Sequence, residues 1–284
     1  MPFRIVQSAQ NSRLKELRRA LASPGRTESG LVGIEGPILL AEAIRAGLHV
    51  KYVFVAHGSE RMLETVNLPA NVEVLAMPRE LLDAALSTET PQRVAALVEP
   101  PNWTWAHIVG VHKAFAGLVV MLAGLQDPGN LGTILRSAEA FGADGVLCLE
   151  GTVSAWNPKA VRASAGSVFR IPVLQVHAAD AMVQLREAGI HILATSVRGA
   201  APADRVDLAG PVAILIGNEG NGVPADLEAR ADGTITIPCP GPVESLNAAV
   251  ATSVLLYEAA RQREAVRLRS AKSGGSLGRR GGTR

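Results

Sequence analysis

Cysteine is nearly absent from the 284 residues: Cys148 and Cys239 stand alone, far apart and outside any paired motif. A disulfide framework is therefore disfavoured. The six histidines, at positions 49, 57, 107, 112, 177 and 191, lack metal-ligand spacing, so no metal is expected. No apolar run reaches eighteen residues, which argues against a transmembrane helix. The start, MPFRIVQSAQNSRLKELRRA, lacks the apolar stretch of a secretory signal, and Glu16 weakens a reading as an organelle transit peptide. A soluble cytoplasmic protein is the expectation. Neither G-x-G-x-x-G nor a P-loop Lys-Ser/Thr occurs in the glycine-rich loops, so dinucleotide-dependent oxidoreductase and triphosphate-binding readings are disfavoured.

What is present is apolar and asymmetrically charged. Hydrophobic residues make up 48%, enough for one large core or two ordinary ones. The net charge of +2 conceals a basic end: residues 261–284 hold eight Lys/Arg against one acid, Glu264. The other 260 residues carry 20 basic and 25 acidic groups. Polyanion binding must then use local patches, such as the tail or Arg13, Lys15, Arg18 and Arg19 on the first predicted helix.

Apolar runs and helical stripes alternate along the chain. Strands are predicted at 31–34, 50–55, 72–75 and 94–98, with helices at 11–22, 37–46 and 78–86. Pro100 and Pro101 mark a boundary. The pattern restarts with strands at 118–122, 146–149, 173–176, 191–194, 212–216 and 234–237, and with helices at 131–142 and 245–263. The expected organisation is two α/β domains, 1–99 and 114–264, joined by a linker at 100–113 and followed by a basic disordered tail at 265–284. Fully apolar strands between helices predict a mostly parallel C-terminal sheet.

Three loops at strand ends are where an open α/β sheet binds its ligand. The first, GLQDPGNLGTILRSAEAFG, contains Asn130 and Arg136. Asn130 is open to two readings, helix N-cap or ligand contact, and Arg136 points off the apolar stripe of Leu131, Ile134, Leu135, Ala138 and Phe141. The second, LIGNEGNGVP, surrounds Glu219 with Gly217, Gly220 and Gly222; glycines there permit close backbone approach to a flat ligand, or an ordinary turn. The third, IPCPGPVESLNAAVATSVLLYEAARQR, runs through Ile237, Ser245, Leu246 and Asn247. Ser245 is a candidate N-cap, with Asn247 in the first turn of a helix that has a wide apolar face.

In order and spacing, these loops closely resemble the three motifs of the SpoU (TrmH) class of SPOUT RNA methyltransferases. The resemblance covers residues 119–263, including VRASAGSVFRIPV at 161–173. GIEGPILLAEAIRAG, at 33–47, resembles an L30e-like substrate-binding domain, although many relatives have a bulkier residue before the Glu. The resemblance implies methyl transfer from S-adenosylmethionine to a ribose 2′-hydroxyl of RNA, with ribosomal RNA and its large subunit favoured. The alternatives are a transfer-RNA 2′-O-methyltransferase, or a non-catalytic RNA-binding protein on the same fold. It implies catalytic roles for Asn130, Arg136, Glu219, Ser245 and Asn247, and cofactor contacts at Gly217, Ile237 and Leu246. Arg162 is a further candidate for an RNA phosphate. The resemblance also implies a trefoil knot and a homodimer through the knotted region.

Overall fold

The computed structural model describes residues 3–22, 26–86, 88, 90–109, 117–197, 199–243 and 245–274. The chain forms two compact units. The first comprises Met1–Thr104, Gln126–Arg136 and Val153–Val173; the second comprises Trp105–Leu125, Ser137–Thr152 and Leu174–Arg284. Two stretches of the C-terminal half thus pack with the N-terminal residues.

The N-terminal residues contribute β1 (Phe3–Ile5), α1 (Ser12–Ala22), β2 (Val32–Glu35), α2 (Pro37–Arg45), β3 (Val50–Ala56), β4 (Glu73–Met77), α3 (Arg79–Asp83) and β5 (Val94–Val98). They build a five-stranded sheet in the order β1-β4-β3-β5-β2, with β5 antiparallel to both its neighbours. Leu14, Leu17 and Leu21 of α1 are buried against it. On the other face of α1, Lys15, Arg18 and Arg19 are exposed. Arg13 is not part of that free basic face: its guanidinium stacks 4.0 Å from the Tyr52 ring centroid and pairs with Glu73 at 3.5 Å. Glu35 is buried, its Oε1 accepting from the Thr88 hydroxyl at 2.5 Å and the Gln92 amide at 2.9 Å. It ties the loop before β5 to the turn that opens α2.

The rest of the chain contributes α4 (Trp105–Val109), β6 (Leu118–Leu122), α5 (Pro128–Ala140), β7 (Gly145–Cys148), α6 (Pro158–Ala163), β8 (Val173–Gln175), α7 (Ala178–Glu187), β9 (His191–Thr195), β10 (Ala201–Pro202), β11 (Val212–Ile216), α8 (Ala225–Glu228), β12 (Gly233–Thr236) and α9 (Ala248–Gly274). A seven-stranded sheet runs β10-β12-β9-β11-β6-β7-β8, and the pairs β10–β12, β12–β9, β9–β11, β11–β6 and β6–β7 are all parallel. Val119, Met121, Leu147, Ile192, Ala213 and Leu215 form one apolar core with Met182 and Leu185 of α7. Each of the larger ones, fully buried, contributes roughly 1.5–3 kcal/mol by leaving water. None of the described helices is long and apolar enough to cross a membrane.

Two boundaries differ from expectation. The last helix begins at Ala248, not Ser245, and continues to Gly274, ten residues into the segment expected to be disordered. At the expected end of that helix, the Arg263 guanidinium donates to the Leu208 and Gly210 carbonyls at 3.0 and 2.6 Å. Residues 275–284 of the expected tail and 110–113 of the expected linker lie outside the described residues.

Within the first unit, α5 and α6 lie against each other at Gly132. A Cβ at that position would come within 2.4 Å of the Ala160 carbonyl oxygen and 2.5 Å of the Ala163 Cβ. The obstacle is mostly backbone and cannot swing aside. Gly132→Ala is therefore expected to destabilise the protein by about 1–3 kcal/mol through overpacking, against the small gain that Ala ordinarily brings to a helix. Urea denaturation checks the sign; a mutant as stable as the parent means that the two helices separate freely.

Candidate active site

The C-terminal edge of the parallel sheet gathers the loops. Ile216 of β11 is level with Leu122 of β6, Cys148 of β7 is level with the same residue, and Ala194 of β9 is level with Leu215. Chains leaving β6 and β11 therefore emerge side by side. Their first residues are joined: Asn218 Nδ2 donates to the Gly124 carbonyl at 2.8 Å, and the Gly124 amide donates to Thr152 Oγ1 at 3.1 Å. Thr152, itself buried, donates from its hydroxyl to the Leu122 carbonyl at 2.8 Å. Neither Asn218 nor Thr152 was among the residues singled out in the sequence. The Asn-Glu-Gly-Asn run was a visible signal for Asn218, whereas Thr152 gave none.

The loop after β11 closes on itself. Asn218 and Gly222 exchange backbone hydrogen bonds at 2.9 Å each way, and Asn218 Oδ1 accepts from the Gly220 and Asn221 amides. Glu219 is exposed at its tip. Gly217 is buried, and a Cβ there would lie 1.9 Å from the Gly222 carbonyl carbon and 2.1 Å from the Val223 nitrogen. The glycine is required by the returning strand of its own loop. The loop is thus the turn that the sequence also allowed.

The strap from β12 to α9 holds Ile237 and Leu246, both half-buried, and Ser245 and Asn247, both exposed. Outside helix and strand pairing, its backbone is stiffened by Pro238, Pro240 and Pro242. The Ile237 carbonyl lies 3.5 Å from Cys239 Sγ. The helix cap is Asn247: its Oδ1 accepts from the Ala249 and Val250 amides at 2.9 and 3.2 Å. Ser245, the expected cap, precedes it by two residues.

The same correction applies to α5. Asp127 caps it, with Oδ1 accepting from the Gly129 and Asn130 amides at 2.5 and 3.0 Å. Asn130 thus sits in the first turn, half-buried, and the capping alternative for it falls away. The Asn130 and Gly129 amides hold the Asp127 carboxyl below its ordinary range. Its contribution to stability is thus present above the unfolded carboxylate pKa and lost as pH falls through the lowered folded value. Leu131, Ile134, Leu135 and Ala138 are fully buried, as the stripe predicted. Thr133, Arg136 and Ala140 share the exposed face. Arg136 has no ion-pair partner among the described residues. On α6, packed against α5 at Gly132, Arg162 is likewise exposed.

No group of three or more His, Cys, Asp or Glu among the described residues is arranged to hold a metal ion. Burial pushes the Cys148 thiol up to about 12, so it stays protonated and unreactive. The loop after β11 and the strap offer backbone amides and carbonyls and one loop carboxylate, a set suited to a neutral heterocycle. Separately, α5 and α6 present the exposed guanidinium groups of Arg136 and Arg162, suited to a polyanion.

Replacing Gly217 tests the loop's construction. Gly217→Ala is expected to open the Asn218–Gly222 bridge and to cost about 2 kcal/mol or more. Gly210→Ala, where an added Cβ meets nothing within 4 Å, should leave stability nearly unchanged. Hydrogen exchange at the Asn218 and Gly222 amides, with thermal melts, reads the contrast; retained protection in Gly217→Ala contradicts it.

Comparison with known proteins places this geometry. The SpoU rRNA Methylase family matches residues 117–257, and the MRM3-like substrate binding domain matches residues 11–96. The 23S rRNA (guanosine(2553)-2'-O)-methyltransferase RlmP of Bacillus subtilis is 32% identical over 252 residues, covering 89% of this chain and 97% of that protein. The SpoU methyltransferase AviRb of Streptomyces viridochromogenes, solved with AdoMet, superposes with a TM-score of 0.78 at 31% identity, covering 89% of this chain and 98% of that one. An AdoMet-bound rRNA methyltransferase from Sinorhizobium meliloti gives 0.79 at 30% identity, covering 91% and 98%. With both matched regions in the expected order and the likeness spanning nearly the whole chain, the protein belongs to the SpoU family of RNA methyltransferases.

Proposed function

We propose that the chain methylates the 2′-hydroxyl of a ribose in ribosomal RNA, large-subunit RNA being the favoured substrate, in the cytoplasm. The observation that carries the reading is full-length similarity to a 23S rRNA 2′-O-methyltransferase, combined with an exposed Arg136 on the helix that follows β6. Bound S-adenosylmethionine supplies an electrophilic sulfonium methyl, which passes to the 2′-oxygen with release of S-adenosylhomocysteine. The chain's own task is to hold that oxygen in line with the methyl and to help its proton leave.

Gly217, Ile237 and Leu246 would hold the cofactor through backbone groups on the loop and the strap, which is why their side chains need not be polar. Arg136 would act on RNA. A guanidinium almost never gives up its proton, so it does not serve as the base. It orients the neighbouring phosphate and stabilises the charge that develops on the 2′-oxygen. The released proton goes to a phosphate oxygen or to water. Asn130, Glu219, Ser245 and Asn247 supply hydrogen bonds that hold the ribose and the guanidinium. Residues 1–99 would grip RNA through the exposed Lys15, Arg18 and Arg19.

The last helix supports a dimer. Its core face is Ala249, Thr252, Leu255, Leu256 and Ala259, all buried. The wide stripe read from the sequence splits here: Val250, Val254 and Tyr257 are 49%, 40% and 57% exposed, at i, i+4 and i+7. Phe141 packs edge-on against Tyr257 at 5.9 Å and extends the apolar strip. We read this strip as the contact with a second copy of the chain.

Arg136→Ala is expected to reduce methyl transfer at least about a hundredfold, the scale of removing one charge-stabilising donor, while sparing S-adenosylmethionine affinity. Arg136→Lys should fail nearly as badly, because a point charge does not reproduce the planar fork. Transfer of labelled methyl to unmodified large-subunit RNA, with mapping of the 2′-O-methyl position, measures both. Near-normal turnover by either variant removes Arg136 from the mechanism, and methylation of transfer RNA instead removes the substrate assignment. For the dimer, Val254→Glu with Tyr257→Glu should give a monomer by sedimentation, whereas a dimer that persists places the contact elsewhere.

A further inference from the structure

Arg136 and Arg162 sit in the same compact unit as the N-terminal sheet, and one side chain joins the two parts. Glu42, on α2, is only 17% exposed. Its Oε2 accepts from Arg170 Nη1 at 2.6 Å, while its Oε1 lies 2.5 Å from Arg45 Nη2. Arg170 closes the turn that follows α6, so the ion pair spans 128 residues of sequence. Directly beneath it, Gly166 has a φ of +88°, and a Cβ there would lie 2.7 Å from Glu42 Cβ. Beside it Ala165 holds a φ of +50°, the one non-glycine residue with positive φ among those described. A non-glycine side chain in that region is strained and persists only where its surroundings hold it there. Ser164 and Ser167, which flank this pair, are buried. The turn has therefore been shaped to bring its backbone onto Glu42.

From that turn the contacts lead directly to the reacting end. Arg162 lies on α6, and α6 rests on α5 at Gly132, four residues before Arg136. The links are the close approaches at Gly166 and Gly132 and one charge-assisted hydrogen bond. We propose that Glu42 is a positioning residue: it fixes the N-terminal RNA-holding sheet in register with the helix pair that carries Arg136 and Arg162. RNA gripped by α1 is then presented to Arg136 at one fixed offset. This rests on the reading of the chain as an RNA 2′-O-methyltransferase.

The role is separate from binding. Glu42 is an anion and does not itself attract phosphate, and Lys15, Arg18 and Arg19 remain exposed without it. Misplacing a reactant by an ångström costs turnover, not ground-state affinity. Loss of Glu42 should therefore appear in kcat.

The test is a double-mutant cycle on the full-length protein with unmodified, transcribed large-subunit RNA as the probe. Glu42→Gln, nearly isosteric, and Arg170→Gln should each lower single-turnover methyl transfer at saturating RNA by about tenfold, the scale of one hydrogen bond to a charged group. The double mutant should be no worse than either single mutant. RNA affinity and S-adenosylmethionine affinity should stay within about twofold of the parent, because neither binding surface is altered. Gly166→Ala, which removes no charged group, should reproduce the loss by wedging the turn away from Glu42. Single mutants with parental rates, losses that multiply in the double mutant, or weakened RNA binding by Arg170→Gln each overturn the proposal; the last makes Arg170 a phosphate contact. Retained S-adenosylmethionine binding certifies folding. Absence of methyl transfer by the parent protein would instead overturn the functional reading.

Discussion

Parallel pairing is the constraint on which the C-terminal half depends. Val212 to Ile216 pair in step with Leu118 to Leu122, and Val119 to Leu122 with Gly145 to Cys148, so neighbouring strands end at one edge. The strands tolerate this because both faces are covered and their side chains are almost uniformly apolar. Once the ends are level, the residues that follow them meet without further design. Gly124, Thr152 and Asn218 come from three different connections yet share one hydrogen-bond chain. The meeting of these connections is thus a consequence of register, and a slip by one residue would misplace them even though both faces of the strands are apolar.

Close backbone approach is the second constraint, and it changes what the glycines mean. A glycine-rich loop invites a ligand-cradle reading. At Gly217 the space that a Cβ would take belongs to the chain returning from Gly222 to Val223. At Gly132 it belongs to α6, and at Gly166 to Glu42. In each case the small residue lets protein meet protein. On the proposed function a ligand would benefit indirectly, through loops held still enough to offer their amides at fixed positions.

Most of the fold was legible because its signals are strong and local. Apolar runs such as Leu118–Leu122 and Val212–Ile216 were placed to the residue. The three-residue β1 and two-residue β10 are too short for periodicity and were invisible. Helix starts were misread where two capping side chains stand close together: Asp127 precedes Asn130 and Ser245 precedes Asn247, and spacing alone does not say which turns its oxygen back to the amides. The last helix shows the limit of amphipathic analysis. Val250, Val254 and Tyr257 are as apolar as Leu255 and Leu256, but only packing separates a buried stripe from an exposed one. The site residues proposed here rest on resemblance to a family. Composition and spacing gave each of them an ordinary structural role.

Charge illustrates why composition undersells this surface. Outside its last residues the chain is mildly acidic, an unpromising total for a protein that must approach a polyanion. Totals conceal which cations are already engaged. Arg13 is held by Tyr52 and Glu73, Arg170 by Glu42, and Arg263 by two carbonyls that cost it solvent, so that its pKa is lowered by burial. These guanidinium groups are structural. Arg136, Arg162, Lys15, Arg18 and Arg19 are exposed. An exposed cation interacts weakly with a distant charge, since water and salt screen it within about 8–10 Å. The same cation gains strength when RNA covers it and displaces that water. On the proposed function, a local, initially solvated group of this kind would exert its full stabilising effect only on a phosphate and a developing alkoxide seated directly against it.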